Sequence, residues 1–233
     1  MDQAWATAHS NFLSSLSPEE FSALTARAKR TSYQKHDQIF SAGDSANAIY
    51  IVTEGSVKLY QLSPGGKEII LWFGFSGELF GIAEAVRRVE REIFAAANVD
   101  CEVLVLSERN FVAFLRDYPE AAMRAIGILS ARVRELGFLF ADLAADDVET
   151  RLIKQLLRFA AGALPAPCDS RSGDEVCLNI ELTHTDLANL IGATRQTVNS
   201  TLASLRRRGL VILIDRHIHI VDSDRFSQLL EAP

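Results

Sequence analysis

Apolar and polar residues alternate in short runs from Gln38 to Leu106 and recur at helical spacing on both sides of that block. The runs are Gln38–Phe40, Ala48–Thr53, Ser56–Leu62, Glu68–Phe73, Ile93–Asn98 and Cys101–Leu106. Turn residues separate them: Ala42-Gly43-Asp44, Glu54-Gly55 and Ser63-Pro64-Gly65-Gly66. Period-two runs bounded by such turns are read as strands, and many short strands at regular spacing predict a small β-barrel or jelly roll. Ahead of the block, Ser17-Pro18-Glu19-Glu20 is a capping box with proline at the first helical position, predicting a helix to about Arg30. Behind it, Ser107 caps a helix that stops before Pro119, and the longest predicted helix runs from about Glu120 to Asp142.

Along that long helix the apolar residues fall at Ile126, Leu129, Val133, Leu136, Phe140 and Leu143, in steps of three and four. This is a heptad seam. It suits either a helix lying along its own barrel or a parallel pair with a second copy, and Phe138 and Leu139 widen it toward a mixture of the two. A further amphipathic helix is predicted over Asp147–Ala161, a polar surface loop over Ala163–Glu175 and a strand over Val176–Glu181. Strands in one block and helices in others give an α+β fold class.

The stretch Leu182–Leu210 reads as two helices around a glycine turn. Thr183 with Asp186 caps the first, which buries Leu187, Leu190 and Ile191 and stops at Gly192. Thr194 caps the second, whose buried stripe is Val198, Leu202 and Leu205, and Gly209 ends it after Arg206, Arg207 and Arg208. This is a helix-turn-helix, whose second helix can enter the major groove of double-stranded DNA. Its outward residues are Arg195, Gln196, Thr197, Asn199, Ser200 and Ser204. Arginine can bond guanine bidentately, Gln and Asn can do so with adenine, and Thr and Ser can reach phosphates. A merely solvated face would carry Glu and Lys pairs, whereas no acid occurs from Ala193 to Ile214. Proteins of this type commonly read two half-sites, which favours the homodimer for the long helix. Two strands, Val211–Ile214 and His217–Val221, follow around an Asp215-Arg216 turn as a β-wing. His217 and His219 alternate with Ile218 and Ile220, so they are expected on an exposed face as edge-strand polar residues rather than metal ligands.

Charge refines this picture. The net charge is −6 over 233 residues. Residues 150–233 hold ten Lys and Arg against nine Asp and Glu, a balance of +1, so the acidity lies in the N-terminal part. From His184 to Leu210 four arginines face only Asp186, a local +3, and phosphate affinity follows the local field. No run approaches the roughly 18 apolar residues of a membrane span, and the N-terminus has no basic start before an apolar block. The expectation is a cytoplasmic protein with no membrane partner. Of three cysteines, Cys101 is read as a small core residue. Cys168 and Cys177 flank the polar loop, and an odd, sparse set predicts no disulfide framework, with a redox pair as the minor alternative.

Barrel, long helix and winged helix-turn-helix, in that order, resemble the Crp/Fnr family of bacterial transcription regulators. The most specific residues are GSVKLYQLSPGGKEIILWF, Gly77-Glu78-Leu79-Phe80-Gly81 and IGATRQTVNSTLASLRRRGLV. The resemblance implies a cyclic-nucleotide-binding-type sensor barrel over 1–118, a dimerisation helix over 119–145 and a winged helix-turn-helix DNA-binding domain over 146–233. It implies an effector-gated homodimer on a palindromic promoter site that contacts RNA polymerase. DNA-binding residues are expected at Thr194, Arg195, Gln196, Thr197, Asn199 and Ser200. The dimer interface is expected at Ile126, Leu129, Val133, Leu136 and Phe140.

The resemblance also implies an effector pocket of Gly77, Glu78, Arg91 and Glu92. In cyclic-nucleotide-binding members the Gly-Glu pair holds the ribose, and an Arg followed by Ser or Thr holds the phosphate. Here Glu92 stands where the hydroxyl belongs, and a carboxylate there repels a cyclic phosphate. The dimer-helix positions that would contact adenine, Leu136 and Gly137, lack hydroxyls. Cyclic AMP is therefore disfavoured, and the small-molecule effector is unassigned. The family's iron–sulfur sensors carry an N-terminal cysteine cluster that this chain lacks, which argues against such a cluster. Haem is retained as a candidate cofactor: Ala83–Ala85 and the SPGGKEII turn look like the nitric-oxide and denitrification regulators, and His9, His36 and Cys101 are the ligand candidates outside the DNA-binding region. A constitutively active member with an empty barrel is the other alternative. In the recognition helix Gln196 replaces an acid and Ser200 an arginine of the common pattern, so a half-site unlike TGTGA or TTGAT is expected. No clustered nucleophile–base pair or metal triad points to an enzyme.

Overall fold

The computed structural model describes residues 11–161, 176–178, 180–214 and 217–230. Packing divides the chain into two units, with the division falling inside the longest helix, between Arg134 and Glu135.

In the first unit two short helices, α1 (Phe12–Ser15) and α2 (Pro18–Thr25), precede eight strands. The strands are β1 (Lys29–Tyr33), β2 (Gln38–Phe40), β3 (Ala48–Glu54), β4 (Ser56–Leu62), β5 (Glu68–Phe75), β6 (Leu79–Phe80), β7 (Phe94–Ala97) and β8 (Cys101–Ser107). A short helix, α3 (Ile82–Arg87), lies between β6 and β7, and α4 (Glu108–Asp117) leads to α5 (Pro119–Ala145). All pairings are antiparallel, in the orders β1-β8-β3-β6 and β2-β7-β4-β5. The Ser17 capping box forms as expected, with Ser17 Oγ accepting from the Glu20 N–H and the Glu20 carboxylate accepting from the Ser17 N–H. The helix it opens ends at Thr25 rather than near Arg30, because Lys29–Tyr33 pairs with Cys101–Val105 as an edge strand. Strand pairing across 72 residues outweighed the local helical pattern.

Alternation along the central strands explains the two cores. On β3 and β8, Ile49, Ile51, Leu104 and Leu106 point to one side, where Phe12, Leu24, Phe111, Phe114, Ala121 and Ala125 from the helices cover them. Val52 and Val103 point the other way, into a barrel interior with Phe40, Val57, Leu59, Phe80, Ala95 and Ala97. A sheet buried on both faces carries apolar residues at both parities, which is why β3 reads Ala-Ile-Tyr-Ile-Val without clean alternation.

The second unit contains the end of α5, α6 (Val148–Ala161), β9 (Val176–Leu178), α7 (His184–Leu190), α8 (Arg195–Arg207), β10 (Val211–Ile214), β11 (His217–Ile220) and α9 (Ser223–Gln228). The three strands form an antiparallel sheet in the order β10-β11-β9. β11 is thus central rather than an edge, and His219, paired opposite both Ile212 and Cys177, is buried. This corrects the expectation of two exposed wing histidines; His217 alone is partly exposed. Cys177 is disulfide-bonded, in line with the minor alternative of a cysteine pair at the loop, and Cys101 is free and buried. Cys168, His9, the Ala163–Glu175 loop and the Asp215-Arg216 turn lie outside the described residues.

The segment 119–145 is not a body of its own. Its first half packs on the barrel unit through Ala121, Ala125 and an ion pair from Arg124 to Glu20 at 2.9 Å. Its last turns are fixed to α6 by Asp142, which accepts from Lys154 at 2.9 Å and from Arg158, while Lys154 also reaches Asp146 at 2.6 Å. Burial alone would raise the Asp142 carboxyl, but these hydrogen bonds outweigh burial and hold it below the ordinary aspartate value. Because the folded-state value is depressed, the stabilisation is present at neutral pH and lost as pH falls through it, below about pH 4. Asp142→Asn is therefore expected to destabilise the protein at pH 7, with the gap from wild type narrowing as pH falls through the acid range, as followed by urea unfolding. A gap that does not narrow on acidification would count against this network.

Candidate nucleic-acid interface and sensor site

The helix-turn-helix forms as its caps and glycines dictate. Thr183 and Asp186 make a reciprocal capping box at the start of α7. Thr194 Oγ1 accepts from the Thr197 N–H at 3.1 Å and caps α8. Val198, Leu202 and Leu205 are buried, as the helical spacing requires. Thr194, Arg195, Gln196, Asn199 and Ser200 are exposed, and Thr197 is partly so. The structure thus gathers all six predicted DNA-binding residues onto the first two turns of one helix. Arg195, Gln196 and Asn199 make up the outward polar row, while the hydroxyls of Thr197 and Ser200 bond within the helix to Thr194 Oγ1 at 2.8 Å and the Thr197 carbonyl at 2.8 Å. At the other end Arg208 pairs with Glu149, and Arg206 and Arg207 are exposed.

The predicted dimer seam is exposed in the single chain, from 37% at Leu136 and 39% at Leu129 through 55% at Ile126 to 71% at Val133 and 75% at Phe140. Met123, Phe138 and Leu143 extend the same apolar exposure. These residues lie along a 27-residue helix.

Each of the predicted effector residues has partners within the fold. Gly77 closes the turn between β5 and β6 at φ +87, where its N–H donates to the Val52 carbonyl at 2.7 Å and its carbonyl accepts from Phe12 at 2.7 Å. A Cβ there would fall on the Asn11 side chain, so this glycine is held by chain packing. Glu78 accepts from Arg132 of α5 at 2.8 Å, and the Arg132 guanidinium lies 5.1 Å from the centre of the Trp72 ring. Arg91 is buried, with 3% exposure. It donates to the Gly81 carbonyl at 2.6 Å and to the Ala48 carbonyl, meets Glu84 at 3.5 Å, and lies 4.3 Å from the Phe40 ring centre. Glu92 is exposed and 3.9 Å from Arg87.

Sequence reasoning did not assign Gly81, Glu84, Ala48 or Arg132 as partners of the effector residues. The second glycine of Gly77-Glu78-Leu79-Phe80-Gly81 was a local signal for Gly81. Ala48 and Arg132 are distant in sequence and carried none. The unit also has a cleft of about 420 Å³ lined by Asn47, Arg88, Glu90, Glu108 and Arg109 among others, and by none of the four predicted effector residues.

The haem-ligand candidates within the described residues do not fit an axial ligand. His36 stands in an exposed turn at φ +76. Cys101 is buried in the barrel interior, and its thiol is pushed up to about 11, by burial first and then by Asp100 and Asp37. That is opposite to the thiolate an iron needs.

Comparison with known proteins bears on both units. A cyclic nucleotide-binding domain model matches residues 30–118, and a Crp-like helix-turn-helix domain model matches residues 150–229. The cyclic AMP receptor protein of Thermus thermophilus is 30% identical over 201 residues, covering 85% of this chain and 86% of that protein. A CRP-like cAMP-activated global transcriptional regulator of Mycobacterium tuberculosis is 26% identical over 221 residues, covering 95% and 96%. Among solved structures, a transcriptional regulator of the CRP family from Thermus thermophilus superposes with a TM-score of 0.71 at 26% identity, covering 87% of this chain and 97% of that one.

Proposed function

Because the chain belongs to the Crp/Fnr family of DNA-binding transcription regulators, we propose that it acts as a homodimer on palindromic promoter DNA under the control of a small effector other than a cyclic nucleotide. The exposed apolar seam of α5 carries this reading: a second copy packed in parallel covers it and sets two α8 helices about one DNA turn, roughly 34 Å, apart. Arg195, Gln196 and Asn199 then read base edges, and Thr194, Thr197 and Ser200 approach phosphates. Arg206 and Arg207 add to the basic field. RNA polymerase is the downstream partner.

Cyclic AMP is named for two of the relatives, but in this chain the arginine that would hold its phosphate already serves two carbonyls and Glu84 inside the fold. Opening that cluster to a second anion would leave Glu84 buried beside it. The Glu78–Arg132 pair instead links the turn before β6 to α5 within the barrel unit, and gives an effector a route to bias the helix.

Selection from a random duplex pool tests the DNA reading. A palindrome with a half-site unlike TGTGA or TTGAT is expected, since Gln196 and Ser200 replace an acid and an arginine. On the selected duplex Arg195→Ala is expected to cost about 1–3 kcal/mol if Arg195 makes a bidentate base contact. Unchanged affinity on that duplex would remove Arg195 from the interface.

A further inference from the structure

We propose that Arg151 is a positioning residue for the DNA-reading helix, tying the turn of the helix-turn-helix to the backbone that leaves the long helix. It rests on the reading of α8 as that helix. Arg151 lies in the first turn of α6 and is half-buried. Its Nε donates to the Ile191 carbonyl at 2.9 Å, and an Nη nitrogen donates to the Asp146 carbonyl at 2.8 Å. Ile191 is the C-cap of α7, and Asp146 lies between α5 and α6. One guanidinium therefore joins two chain segments that no backbone hydrogen bond connects in the described residues. A planar fork with separately directed N–H groups can serve two such carbonyls at once, which an ammonium does less well.

The turn is held from a second side. Gly192 has φ +66, and a Cβ placed on it would lie 2.7 Å from Leu143 Cδ2 at the end of α5. The turn thus lies directly against the long helix, whose last turns are already fixed to α6 by Asp142, Lys154 and Arg158. Ala193 is buried, with its N–H on the Ala188 carbonyl at 2.9 Å, and Thr194 starts α8 immediately afterwards. Whatever holds Ile191 and Gly192 therefore sets the direction in which Arg195, Gln196 and Asn199 project. Arg151 acts on DNA through this placement rather than through a contact of its own.

The test titrates full-length wild type, Arg151→Gln and Arg151→Lys with the selected duplex and with a scrambled duplex of equal length, over a salt series. Arg151→Gln is expected to weaken the selected duplex about tenfold, the worth of one charge-assisted hydrogen bond. Binding of the scrambled duplex and the slope of log affinity against log salt are expected to stay unchanged, since no phosphate contact is lost. Arg151→Lys should recover part of the loss. Unchanged binding of the selected duplex by Arg151→Gln overturns the proposal. So does an equal loss on both duplexes with a shallower salt slope, which would make Arg151 a phosphate contact. Should Arg151→Gln fail to fold, Gly192→Ala with and without Leu143→Ala carries the test. The first change is expected to weaken the selected duplex and the second to restore part of it, and no restoration overturns the proposal. A wild-type chain that prefers no duplex sinks the reading of α8, and this inference with it.

Discussion

Val133→Asp combined with Phe140→Asp is expected to turn the protein into a monomer that binds its selected duplex at least about 100-fold more weakly. The two residues are seven apart, on one seam, and are the most exposed large apolar residues of α5. In a parallel pair each would meet its own copy, so each substitution buries two like charges against one another. The loss on DNA follows from valence. Two linked reading helices gain about 10²–10⁴ over one by making the second contact intramolecular, and a monomer forfeits that factor. Sedimentation equilibrium with fluorescence anisotropy on the same samples checks both halves. A variant that sediments as a dimer, or a wild type that sediments as a monomer, would break the link between this seam and DNA binding.

Arg91→Met is expected to destabilise the barrel unit by about 3–5 kcal/mol, because it strands the buried Glu84 carboxylate and leaves the Ala48 and Gly81 carbonyls short of a donor. Calorimetry of the full chain should show its transition fall on the order of 10 °C. Adding Glu84→Gln should recover part of that fall, since removing both charges costs less than removing one. An Arg91→Met protein with unchanged melting and a lost effector response would return Arg91 to the effector pocket. The contrast matters because the family resemblance places the same arginine as a phosphate ligand.

The parts of this protein legible in sequence are those whose physics is local. The Ser17 and Thr183 capping boxes, the Thr194 cap and the Val198, Leu202 and Leu205 stripe involve residues within one or two helical turns, and each stands where its spacing placed it. The turn glycines 43, 55, 66, 77, 192 and 209 all have positive φ, as the punctuation of the chain required. The residues expected to read DNA lie exposed or partly exposed at the start of α8, because helical periodicity determines which side chains face outward.

What failed were inferences that needed partners far along the chain. Lys29–Tyr33 reads as the tail of a helix until Cys101–Val105 is laid beside it. His219 reads as exposed until β9 is added to the wing and makes β11 central. The partners of Glu78 and Arg91 were equally out of reach of a local reading, since Arg132 lies 54 residues from the one and Ala48 lies 43 residues from the other. By itself the sequence determined a barrel, a seamed helix and a DNA-reading helix, because period and capping are written in consecutive residues. Only the tertiary structure decided which partners the charged groups of the barrel take and which two carbonyls Arg151 joins, because a buried ionic group is assigned by whichever distant strand or helix satisfies it.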